Sequence, residues 1–192
     1  GVVEPCINGR TGETGTYFGM DVLPIVERLV GERVGDGGGN CEAEYGSGVS
    51  SIDTPRNVLD GLLALARTGR ETAVVRDARR TGEEFLLERS LFRRKSTGEV
   101  VDQQYLDFAF PYYWRYDVLR ALDYFRLAGA DPDPRMGEAV EVVRSKRQPD
   151  GRWLLNPDVR RTPRLWEVSS GRELRSFSVR KEAKGHGVVG RL

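Results

Sequence analysis

The sequence predicts an all-α domain built from helical hairpins. Three observations carry this. Apolar side chains recur at the helical period of 3.6 in five separate stretches, turns rich in glycine and proline separate those stretches, and one helix-turn unit occurs twice. The chain has 192 residues, 39% hydrophobic and 31% charged, which is enough for one core of its own.

The first pattern covers 21–33, with Leu23, Val26, Leu29, Val30 and Arg33 on one side and Pro24 in the first turn, where a missing N–H costs little. Gly35-Asp36-Gly37-Gly38-Gly39-Asn40 then stops any helix. Thr54-Pro55 reads as N-cap and N1 of a second helix over 54–68, with Val58, Leu59, Leu62, Leu63 and Ala66 inward. A third helix is predicted over 71–94, with Val75, Ala78, Phe85, Leu86 and Phe92 on its stripe. Residues 95–113 form a long connection whose Tyr105, Phe108, Phe110 and Tyr112 argue against a solvated loop. The fourth helix, 114–128, shows Val118, Ala121, Leu122, Phe125 and Ala128 at helical spacing. Asp131-Pro132-Asp133-Pro134 ends it and caps the fifth helix, 135–147, whose stripe is Met136, Ala139, Val140 and Val143. Residues 10–16 are too rich in Gly and Thr to predict a helix.

Arg33 to Gly39 aligns without gaps to Arg147 to Trp153, and both segments directly follow an amphipathic helix. Asp-Gly suits such turns because Asp bonds to the backbone ahead of it and Gly accepts positive φ. Repeated units of this kind mark a stacked helical array. Trp153 is expected to pack between neighbouring hairpins.

Asp150-Gly151-Arg152-Trp153 and its partner Asp36-Gly37-Gly38-Gly39 resemble the QW repeat of squalene cyclases and prenyltransferase-like proteins. Glu4 to Gly9, Asn40 to Glu44, Gly82 to Arg89 and Trp114 to Tyr124 resemble segments of uncharacterised bacterial members. The resemblance spans about 4–156. It implies an α/α toroid in which inner helices ring a central cavity and outer helices wrap them. Helices 54–68 and 114–128 would be inner, and 21–33, 71–94 and 135–147 outer. Arg33 and Arg147 replace the motif's Gln, and Gly39 replaces its Trp. The chain holds fewer helical pairs than a full ring, so the expected fold is an incomplete toroid. Residues 1–156 are assigned to it. Residues 157–192 are read as a basic, irregular C-terminal segment, with a truncated or frame-altered C-terminal part as one explanation.

That segment carries 9 basic and 4 acidic residues, whereas the chain as a whole has a net charge of only +1. A solvated terminus is the reading adopted, and nucleic acid is not expected, because no aromatic interleaving suited to stacking bases accompanies the charge. No run approaches the roughly 18 apolar residues of a membrane span, and a cytoplasmic location is the default.

The chemistry of the resembled families needs motifs that are missing here. No Asp-x-Asp-Asp acid and no Asp-rich magnesium motif occurs, and the Gly35–Gly39 turn lacks the Lys-Ser/Thr of a phosphate loop. The single histidine, His186, lies in a Gly-rich stretch, and Cys6 and Cys41 read as two ordinary reduced thiols. No metal and no cofactor are therefore expected. Asp117 and Asp123 remain as candidate acids on an inner helix, with Tyr112, Tyr113, Trp114, Tyr116 and Tyr124 lining the cavity around them. A carboxyl among aromatic rings has its pKa raised, as a general acid requires. Against this stands a purely structural reading, in which Asp117 pairs with Arg120 or Arg115.

The sequence thus points to a squalene-cyclase-like helical protein whose apolar cavity suits an isoprenoid or other apolar small molecule. The alternatives are a terpenoid cyclase or prenyltransferase fragment with catalytic residues elsewhere, and a structural or interaction module.

Overall fold

The computed structural model describes residues 4–41, 48, 50–110, 112, 115–157, 164–167 and 172–176. Helices dominate: α1 (Pro5–Tyr17), α2 (Leu23–Gly31), α3 (Asp53–Arg67), α4 (Ala73–Leu87), α5 (Val118–Ala128) and α6 (Gly137–Ser145). No described helix is long and apolar enough to cross a membrane.

The helix α1 corrects the sequence reading. Gly9, Gly12 and Gly15 cost it roughly 1 kcal/mol each relative to alanine, yet their spacing of three puts them on one buried face. That face lets α1 and α3 touch backbone to backbone. A Cβ on Gly9 would collide with the carbonyl of Asn57, and one on Gly61 would stand 2.6 Å from the carbonyl oxygen of Gly9. The glycines that weaken the isolated helix are what seat it in the fold.

The other helices begin where local chemistry allows. Pro24 sits in the first turn of α2. The Thr72 side chain caps α4 by accepting from the amide of Val75, and the Asp117 side chain caps α5 by accepting from the amide of Arg120. Helix α4 stops at Leu87, short of the expected Arg94, because Ser90 and Leu91 adopt positive φ of 44° and 71° and turn the chain. Helix α5 starts at Val118 and ends on Gly129 in the left-handed conformation. Helix α3 starts at Asp53 with Ile52 as its N-cap, so Thr54 and Pro55 lie within its first turn, two residues beyond the expected cap positions.

Consecutive helices pair as hairpins, α1 with α2, α3 with α4 and α5 with α6. Helix α3 also packs on α1 and α5, and α2 on α4. Helices α1, α3 and α5 thus form one row, with α2 and α4 packed together beside it and α6 on α5. Helix α3 feeds two hydrophobic cores. Leu62 and Leu65 join Val22, Val26, Val75 and Ala78, while Leu59 and Leu63 join Phe85, Leu86, Leu91, Phe92, Phe108, Val118, Tyr124 and Phe125.

The gap-free repeat is one turn built twice. Val34 N–H donates to Gly38 O and Gly37 N–H to Val34 O. At the second copy Gln148 N–H donates to Arg152 O and Gly151 N–H to Gln148 O. Asp36 and Asp150 each accept from the amide two residues ahead, at 3.2 and 3.0 Å. Gly37 and Gly151 take φ of 90° and 84°. A related turn follows α4, where Arg94 N–H donates to Glu99 O and Gly98 has φ of 72°.

A small sheet of short strands accompanies the helices, which dominate the structure as expected. Strands β1 (Ala109–Phe110), β2 (Leu154–Pro157), β3 (Arg164–Glu167) and β4 (Arg172–Ser176) lie in that order, with β1 parallel to β2 and the rest antiparallel. Strands of two to five residues are too short for their periodicity to stand out in the sequence. Two of them fall in the stretch read as irregular.

Candidate functional site

The carboxylates singled out from the sequence do not face a shared cavity. Asp117 is 1% exposed, and its oxygens accept from the amides of Arg120 at 2.9 Å and Ala109 at 3.1 Å. Burial raises its pKa against these two hydrogen bonds. Its site is the cap of α5 and the anchor of β1, not an open surface. Asp123 lies on the surface, paired with Arg126 at 2.8 Å.

The expected lining residues divide in the same way. Tyr116 is buried and donates its hydroxyl to the carbonyl of Leu91. Tyr124 is buried and donates to Glu83 at 2.6 Å. Burial also raises the pKa of both phenols. Tyr112 and Tyr124 both meet guanidinium groups of the α1, α3 and α5 row: Arg120 and Arg10 lie 4.0 and 5.4 Å from the Tyr112 ring centroid, and Arg56 lies 5.3 Å from that of Tyr124. Tyr113 and Trp114, like His186, lie outside the described residues.

What the row does bring together is a charged cluster that the sequence did not reveal. Asp60 of α3 is its centre. It pairs with Arg56 one turn earlier on the same helix, with Arg120 of α5 at 3.3 Å and with Arg10 of α1 at 3.4 Å. Arg56, Asp60 and Arg120 are all buried, at 4%, 8% and 7% exposure. Arg56 Nε–H also donates to the carbonyl of Arg120 at 3.0 Å, which ties α3 to the first turn of α5. Glu13, one turn along α1 from Arg10, completes the group through a 2.5 Å contact with that arginine.

Three guanidinium groups against two carboxylates leave one net positive charge. Burial, followed by the negative charge of Asp60, holds the Glu13 carboxyl above its ordinary value despite the pull of Arg10, Arg56 and Arg120. The cluster therefore offers cationic donors beside a carboxyl that retains its proton more readily than a free one. Arg56 and Asp60 at i,i+4, like Arg10 and Glu13 at i,i+3, carry the spacing of surface ion pairs. Only the placement of α3 between α1 and α5 makes them a buried site.

Beside the cluster, the free side of α1 carries a groove of about 550 Å³ lined by Cys6, Ile7, Arg10, Thr11, Thr14, Gly15, Phe18 and Met20. Ile7, Phe18 and Met20 are 50%, 71% and 62% exposed, so its walls are apolar and open to solvent. Arg10 is the one charged residue in the described wall and belongs to both groove and cluster.

The two cysteines form no disulfide, but they are close neighbours. Their sulfurs lie 2.8 Å apart, one at the start of α1 and the other just beyond the Asp36-Gly37 turn. The hydrogen bond between them draws the Cys41 thiol down to about 6, and the Thr54 hydroxyl at 3.3 Å adds to this. The same bond pushes the Cys6 thiol up. Sequence separation hid the pair, since the two positions are 35 residues apart and only the α1-α3 packing brings them together. Comparison of the chain with family models, curated proteins and solved structures returns no match.

Proposed function

We propose that the three hairpins form an arc of an α/α toroid of the squalene-cyclase and prenyltransferase-like kind, and that the α1 groove binds an apolar small molecule with an anionic head. The row α1-α3-α5, each member paired with the next helix in sequence, supports the arc. The observation that carries the ligand reading is Arg10, which stands both in the apolar groove and in the positively charged cluster. An isoprenoid chain would lie along Ile7, Phe18 and Met20, and a carboxylate or diphosphate would compete with Glu13 for Arg10. Protonation of Glu13, favoured by its burial, frees that guanidinium and raises the positive charge met by the head. A standard cyclisation is not part of this reading, because the sequence has no Asp-x-Asp-Asp acid.

One observation favours a catalytic reading instead, in which Glu13 supplies the proton for a terpenoid cyclase or prenyltransferase reaction. Its raised pKa is what a general acid needs. Calorimetric titration of the full chain with a prenyl diphosphate and with the matching prenyl alcohol tests the binding reading. Tighter binding of the diphosphate, weakened at least tenfold in Arg10→Met, is expected. Equal affinity for both, or no binding of either, overturns it. Turnover of the diphosphate that disappears in Glu13→Gln would establish the catalytic reading.

A further inference from the structure

Glu4, Cys6 and Cys41 bring one carboxylate and two sulfur donors to one place. Their ligand atoms all lie within 4.8 Å of one another, and among the described residues no other three such groups do so. The Cys6 thiol lies 3.5 Å from Glu4 Oε2 and 2.8 Å from the Cys41 sulfur. Two structural elements place the three donors. Glu4 is the N-cap residue of α1 and Cys6 lies in its first turn. Cys41 follows a turn fastened by the bridge between Gly39 and Ser51, and its sulfur shares a hydrogen bond with Thr54 Oγ1 at 3.3 Å. Thr54 is in turn fixed by Ser51, whose hydroxyl donates to it at 2.9 Å.

We propose that Glu4, Cys6 and Cys41 form a binding site for one zinc-like divalent cation, independent of what the α1 groove binds. Two thiolates and a carboxylate match the ligand preference of zinc, which takes sulfur at about 2.3 Å and carboxylate oxygen at about 2.0–2.2 Å. Tetrahedral binding sets the two sulfurs about 3.7 Å apart, so the pair opens by about 1 Å when the metal enters. Both thiols lose their protons to solvent as the metal–sulfur bonds form. The donors then carry three negative charges against two on the cation, and the positive end of α1 offsets part of the excess. The Thr54 hydroxyl stays in the outer shell, where such contacts orient a ligand. Three protein donors leave the fourth position to water, the arrangement of a metal site that can exchange a ligand.

The test uses the full chain, reduced and freed of metal under nitrogen, and titrated with cobalt(II) and then zinc(II). Expected is one cobalt per chain, with the intense near-ultraviolet absorption of thiolate-to-cobalt charge transfer, displaced by one equivalent of zinc. Cys6→Ser and Cys41→Ser should each lose most of that absorption, and Glu4→Gln should keep it while affinity falls about tenfold or more. Zinc should also shield both thiols of the unmutated chain from a thiol-reactive disulfide reagent, a readout that needs no variant to fold. Failure of the reduced chain to take up cobalt overturns the site. Uptake unchanged in both serine variants overturns it as well. A chain that forms a Cys6–Cys41 disulfide in air and binds no metal after reduction shows a redox pair instead, and likewise overturns it.

Discussion

Gly61 of α3 sits against the carbonyl of Gly9 in α1 so closely that a Cβ there would come within 2.6 Å of the oxygen. At Gly12, one turn along α1, an added Cβ would meet nothing nearer than 3.7 Å. The two positions separate helix propensity from packing. Gly12→Ala should gain up to about 1 kcal/mol, since alanine is the better helix former. Gly61→Ala should lose about 1–3 kcal/mol net, because rigid backbone cannot yield to the added methyl. Denaturant melts of both variants check this, and equal effects at the two sites would refute backbone contact between α1 and α3.

The same glycines show what was legible in the sequence. The stripes Val26-Leu29, Leu59-Leu62-Leu63 and Val118-Ala121-Phe125 reported helices directly, because each faces a core. The matched Asp36-Gly37 and Asp150-Gly151 turns were legible too, since their chemistry is local. Helix α1 was not, because its buried face is glycine and has no hydrophobic signal. The Arg10, Arg56, Asp60 and Arg120 cluster was hidden for a related reason. A polar stripe on a helix reads as a solvent face, and burial of that stripe on α3 follows from its being covered on both sides. Asp117 was noticed for its aromatic neighbours, whereas its partners are two backbone amides.

The roles of Asp117 and Asp123 should separate on substitution. Asp117→Ala removes the cap of α5 and strands the amide of Ala109, so a loss of about 2–4 kcal/mol is expected. Asp123→Ala removes one exposed ion pair and should stay within about 0.5 kcal/mol of the parent. Urea melts decide it. An Asp117→Ala chain as stable as the parent would show that the cap does not hold α5.

Trp153 was expected to act as a core aromatic between hairpins. It is half-buried at the edge of the larger core, its indole N–H donates to the carbonyl of Val143 at 2.7 Å, and the Arg147 guanidinium lies 5.6 Å from its ring centroid. Trp153→Ala should therefore cost about 1–3 kcal/mol, below the range of a fully buried tryptophan. Trp153→Phe should recover the packing share but not the hydrogen bond. Thermal melts of the pair would contradict this placement if Trp153→Phe were no better than Trp153→Ala.

Glu13 should give stability a pH dependence of definite sign. Its folded pKa lies above the ordinary 4.5 because of burial. Between those two values the folded chain holds the proton more often than the unfolded chain. Its contribution is thus fully present below 4.5 and is lost as pH rises through the folded value. Asp117 titrates in the same sense, so the informative quantity is the difference between the parent and Glu13→Gln. That difference should move in favour of Glu13→Gln as pH rises from 4 toward neutrality, in urea melts at a series of pH values. A difference that stays constant with pH would mean that the carboxyl is solvated in the folded chain.

Asp60 is the residue on which the charged cluster depends most. Arg56 and Arg120 are as buried as Asp60 itself, so each has given up hydration that only this carboxylate replaces with opposite charge at short range. Arg120 feels the cost directly, since burial lowers its pKa, the nearby Arg56 lowers it further, and Asp60 opposes both. Asp60→Ala leaves two buried guanidinium groups facing one another, and the expected loss is about 3–5 kcal/mol. The pair is not for that reason a source of net stability. Replacing the acid and one base together, as in Asp60→Leu with Arg120→Met, removes the charges as well as their attraction and should recover much of the loss. Equilibrium urea unfolding of the single and double variants measures both effects. A loss below about 1 kcal/mol for Asp60→Ala is the behaviour of a solvated surface pair, and it would place water where α1, α3 and α5 are packed together.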